Sequence, residues 1–354
     1  LMLASRFGQL NAVKTLIQNN VDVNAKSADP RDTCTALTMA CEEGHFEIAT
    51  ALLDAGADPN ELWDENNPTQ KTPLMHAAEN GHVDCVQLLI DRKANVDAHK
   101  KGRNSLMFAC QYGHTKSARL LIDAGADINA IKKRDTLVPG SAPFSERVNS
   151  GGDMSALSFA ARFGQTSAVS LLLERGFDIE VEIKEPFWTS LHRSAGNGKN
   201  ETARVLMNKC PKMLNHPQDK TGDTPMMNAA MSGHAASVIA LIDNGADLAK
   251  VNNKGQNVVW VAAKSGHVQA LKMVLTGLKK LKDGSGKDIL NAFAPPDKTN
   301  SQGGPIQKPQ HTTALMRAVI SQHVDCVTSL LHAKARPDMV KEGDKHKRTA
   351  LSFA

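Results

Sequence analysis

The chain has 354 residues, 41% of them apolar and 22% charged, with a formal net charge of +5. That profile lacks the strong basic excess of domains that grip nucleic acid. No run of about 18 apolar residues occurs, so no transmembrane helix is expected, and no signal-peptide pattern opens the sequence.

A short theme recurs along the chain: Thr, Ser or Asn, then a small residue, then an apolar one. It reads TALTMA at 35–40, TPLMHA at 72–77, NSLMFA at 104–109, SALSFA at 155–160 and TSLHRS at 189–194. It continues as TPMMNA at 224–229, NVVWVA at 257–262, TALMRA at 313–318 and TALSFA at 349–354, and Leu1 to Ala4 is the tail of another copy. From Leu1, the apolar third residues step by 36, 37, 32, 51, 34, 35, 33, 56 and 36. A period near 33 replaces the two or three globular domains suggested by length with one array over 1–354, in which each repeat touches only its neighbours. The first and last copies are partial, so the sequence is expected to be a fragment of a longer protein.

Repeat 3 shows the local chemistry. Thr72 and Pro73 open a helix with a hydroxyl cap and a proline at its first position. Leu74, Ala77 and Ala78 continue it, and Gly81 ends it as a left-handed cap. A second helix, from about His82 to Asp91, places Val83, Val86, Leu89 and Ile90 on one face. Neither is long enough to stand alone, so both must be buried against adjacent copies.

These residues resemble ankyrin repeats. The resemblance rests on TPL with an alanine pair, Gly-His, and Leu-Leu before Gly-Ala-Asp-x-Asn, as in GHFEIATALLDAGADPN at 44–60 and GHTKSARLLIDAGADIN at 113–129. It covers essentially the whole chain in nine to ten copies. It implies an all-α solenoid of antiparallel helix pairs with β-turn fingers, and a concave surface that binds other proteins. Repeat 6, with Cys210-Pro211-Lys212 in place of Gly-Ala-Asp, and repeat 8, with Trp260 at a usual histidine position, are expected to be locally distorted.

The six cysteines form no CxxC pair. Cys41 and Cys110 share one repeat position and Cys85 and Cys326 another, as buried reduced thiols in a cytosolic or nuclear protein would. His45, His82, His114, His234, His267 and His323 also share one position, a full repeat apart, which does not suit metal binding. No catalytic motif is present. Gly284-Ser285-Gly286-Lys287 lacks the upstream glycine of a phosphate loop, since Leu281 stands there. No enzyme activity and no cofactor are expected.

Two insertions interrupt the array. Residues 131–153 lack periodicity and are rich in Pro, Gly and Ser, which reads as an elongated finger or a disordered loop. Residues 276–311 begin with the basic, helix-compatible GLKKLKD and continue through APPDKTNSQGGPIQKP.

The residues before each inner-helix glycine vary from copy to copy, as a binding surface can. Among them Tyr112, Arg162 and Phe163 are of the types that dominate interface hot spots. Trp63 and Trp188 lie in fingers and are candidate anchors. Lys101 and Arg103, then Lys133, place basic clusters on neighbouring fingers of the same repeats. Base-stacking aromatics do not interleave these clusters, so an acidic protein segment is favoured over nucleic acid. The expectation is a monomeric, non-enzymatic interaction scaffold that takes a partner along repeats 3 to 6. Its alternative is the regulatory or targeting array of a larger enzyme or channel.

Overall fold

A computed structural model describes residues 1–27, 34–60, 71–100, 102–132, 153–184, 188–218, 221–294, 312–340 and 348–353. They fall into two units, Leu1–Asp178 and Ile179–Ala354. In the first, five helix pairs follow one another: Met2–Arg6 with Leu10–Gln18, Ala36–Glu43 with Phe46–Asp54, Pro73–Asn80 with Val83–Asp91, Ser105–Tyr112 with Thr115–Asp123, and Ala156–Phe163 with Thr166–Glu174. The first helix of each pair is called inner and the second outer. Inner helices pack on inner helices and outer on outer, which buries the faces that no single pair could cover.

The second unit repeats the plan. Its inner helices are Ser190–Gly196, Pro225–Met231, Val258–Ser265 and Ala314–Ile320, and its outer helices Asn200–Lys209, Ala235–Asp243, Val268–Lys280 and Val324–His332.

The recurring hydroxyl or amide residue is the N-cap of every described inner helix after the first. Thr35, Thr72, Asn104, Ser155, Thr189, Thr224, Asn257 and Thr313 each accept a hydrogen bond from the backbone N–H three residues on. In repeat 3 the outer helix buries Cys85, Val86, Leu88 and Leu89, while Val83 and Ile90 lie half-buried at the margin. The fingers are tied by asparagines: Asn24, Asn60 and Asn129 accept from the backbone N–H of Asp58, Asn95 and Asp178 at 3.0, 2.6 and 2.9 Å.

One expectation is corrected. Repeat 8 is regular: Trp260 is 2% exposed inside a normally capped helix, and its indole N–H donates to Thr312 Oγ1 at 3.1 Å. The finger ahead of repeat 9 supplies the acceptor that a buried indole requires. Ile131–Lys132, at the start of the 131–153 insertion, pairs antiparallel with Met154–Ser155, just beyond its end. The second insertion starts as structure: the outer helix of repeat 8 runs on to Lys280, a helix Gly286–Asn291 follows, and Ala294 bridges Thr312. Repeat 6 departs from the plan as expected, with a 3-10 turn over Pro211–Met213.

Candidate interaction surface

In the first unit the C-terminal turns of the inner helices and the bases of the fingers form one face. Tyr112 and Phe163 occupy equivalent places on it, each the last helical residue before a left-handed glycine, Gly113 and Gly164. The glycine reverses the chain and leaves the preceding side chain at the edge of the stack. Tyr112 is accordingly 47% exposed and Phe163 44%, so neither serves as core. The Tyr112 ring stacks on His114 with centroids 6.5 Å apart. Partial burial and the neighbouring Glu79 carboxylate raise its phenol above the usual value.

Cations accompany these rings. The Arg162 guanidinium sits 5.6 Å from the centre of Phe163, and burial lowers its pKa from the usual value. Arg103 belongs to a two-residue strand, Arg103–Asn104, paired with His99–Lys100. Its side chain turns from the finger toward the inner helices, where the guanidinium lies 4.0 Å from the Phe108 centroid and 4.8 Å from that of Phe159. Its Nη2 donates to Gln111 Oε1 at 2.5 Å. Lys71 lies 4.9 Å from the Phe108 centroid and is ion-paired with Glu79. Burial, and then Lys71, push the imidazole of His76 down to about 4, so it is neutral at pH 7. In repeats 3 to 5 this face thus presents Lys71, Arg103 and Arg162 against Glu79.

Trp188 lies in the second unit, half-buried and tilted over His192 with centroids 6.4 Å apart. Trp63, Lys101 and Lys133 lie outside the described residues. Phe108 and Phe159 are not among the residues expected from the sequence to contribute to this face. The signal was available, since both are the fifth residue of the repeat theme in consecutive copies, beside a finger arginine.

The family model described as "Ankyrin repeats (3 copies)" matches residues 1–62, 60–132, 157–251 and 191–284. The chain belongs to the ankyrin-repeat family, whose repeat is a protein-interaction module and generally not a catalytic one. It is similar to "Ankyrin repeat protein nuc-2" of Neurospora crassa, 26% identical over 80% of this chain and 21% of that one. It is also similar to human "Transient receptor potential cation channel subfamily A member 1", 28% identical over 69% of this chain and 20% of that one. A crystal structure of the human ASB11 ankyrin repeat domain matches with a TM-score of 0.47 and 24% identity, over 77% of this chain and 96% of that one. The chain thus spans about a fifth of the length of the two full-length relatives. Among the described residues no helix is long and apolar enough to cross a membrane.

Proposed function

We propose that residues 1–354 are one non-catalytic array that docks a partner protein on the face carrying Tyr112, Arg162 and Phe163. The observation that carries this reading is the exposure of two aromatic rings at equivalent positions of adjacent repeats, each beside an arginine. Large rings left in water at the edge of a packed stack cost free energy that a partner recovers, and Tyr, Phe and Arg are suited to that role. The surplus of Lys71 and Arg103 over Glu79 favours an acidic partner segment. A cytosolic or nuclear setting fits the six free cysteines, of which all but Cys34 are buried.

A second reading, that the array regulates or targets a larger enzyme or channel, is favoured by the small share of its relatives that the chain spans. Crosslinking the full-length product in cells, followed by mass spectrometry, tests both. Crosslinks from repeats 3 to 5 to another protein support docking. Crosslinks confined to flanking regions of the same polypeptide support the second reading and contradict the first.

A further inference from the structure

The outer helices of the second unit hold a feature that this reading does not use. Outer helices elsewhere run nine or ten residues, but that of repeat 8, Val268–Lys280, has 13. Its extra turn continues into the helix Gly286–Asn291. A Cβ at Gly286 would stand 2.6 Å from the Leu278 carbonyl oxygen, so glycine is what lets the second helix come close. The outer helix of repeat 8 packs against that of repeat 9, which ends at His332.

Between them lies a cavity of about 810 Å³ with an apolar floor that includes Leu275, Leu278, Leu290 and Met339. A second cavity, of about 330 Å³, adjoins it and shares Leu275, Lys279, His332 and Ala333. Together they make a groove along Lys272 to Lys280, about 13 Å of helix at 1.5 Å per residue. Its rim is basic. Lys272, Lys279, Lys287 and Lys334 border it with no ion pair among the described residues. Arg336 is neutralised by Asp338 at 2.9 Å, which leaves Asp288 as the opposing carboxylate.

We infer that this groove docks an acidic amphipathic helix of a partner protein. The length is the first argument, because about two and a half helical turns lie along it with apolar anchors three or four residues apart. Charge is the second: four uncommitted lysines around an apolar floor match a helix with leucine-like anchors flanked by Asp or Glu. A compact apolar anion would occupy the larger cavity and leave Lys272 and the smaller one unused.

The test pans the full chain against a displayed library of random peptides, each about four helical turns long. Recovered peptides should carry two large apolar residues three or four apart and an excess of Asp and Glu. Their affinity should fall about tenfold for Lys279→Glu with Lys287→Glu, and the loss should shrink at high salt. Lys334→Gly should weaken binding a few-fold. Lys334 has φ 67°, where glycine is the least strained residue, so this variant keeps the fold. Recovery of no peptide, of basic or neutral peptides, or of peptides indifferent to these substitutions overturns the proposal. So does binding of palmitate in their place.

Discussion

His82 Nε2 donates to the backbone carbonyl oxygen of Glu42 across 2.9 Å, although 40 residues separate them. The same bond joins His45 to Arg6 at 3.0 Å and His323 to Lys264 at 3.0 Å, and Gln165 replaces histidine in donating to Gln111 at 3.2 Å. The carbonyls lie at inner-helix ends, where they lack intrahelical partners. Each ring also fills the space above the preceding repeat's glycine, so the Gly and His of adjacent repeats form one joint.

That joint sets a comparison between two glycines. Gly44 has φ 78°, and a Cβ there would meet the His82 ring at 2.4 Å; Gly56 has φ 90° with nothing within 4 Å. Gly56→Ala should cost about 1–2 kcal/mol from backbone strain alone, and Gly44→Ala about 1–3 kcal/mol more from displacing the imidazole. Urea unfolding measures both, and equal costs would mean the ring yields freely.

Stability should fall in mild acid. His192 is fully buried, with Nδ1 at 2.8 Å from Thr189 Oγ1 and Nε2 donating to the Asp223 carbonyl at 2.9 Å. Burial pushes its imidazole down to about 3, below the usual 6.5. The unfolded chain therefore takes up the proton first. The stability contribution is intact above about pH 6.5 and is lost as pH drops toward 3, by about 2 kcal/mol at pH 5. His192→Gln should flatten urea-derived stability between pH 7 and pH 5 relative to the parent, and an unchanged slope would contradict this assignment.

Thiol reactivity should separate one cysteine from five. Cys34 is half-exposed and the others are buried, and burial pushes the Cys110 thiol up to about 12. Ellman's reagent should react quickly with Cys34 and with the remainder only on unfolding. Rapid reaction of all six in the folded protein would refute the packing.

Much of this was legible in the sequence because capping and burial are local. Thr72, Pro73 and Gly81 announce a helix wherever the neighbouring repeat lies, and the phase of Cys85 or Val86 follows from helical period. Arg103 was harder. The sequence places it in a finger, yet its position is decided by Phe108 in its own repeat and Phe159 in the next, 56 residues away. Trp260 misled because the motif position suggested histidine, whereas the outcome depended on a hydroxyl at Thr312. The histidine joints were invisible for the same reason: spacing argued against metal binding, but only the stacked repeats show which carbonyl each ring meets.

The central claim is that Tyr112 and Phe163 serve a partner and not the stack. The direct measurement is calorimetric affinity of Tyr112→Ala and Phe163→Ala for the protein recovered by crosslinking, with thermal unfolding recorded on the same samples. Each substitution should weaken binding by about 1–3 kcal/mol and barely move the melting temperature. Leu106→Ala and Leu157→Ala, at fully buried positions, should instead lose about 2–5 kcal/mol of stability. Unaltered affinity with a marked loss of stability in the Tyr112 and Phe163 variants would show that both rings shield the glycine turns and would contradict the account.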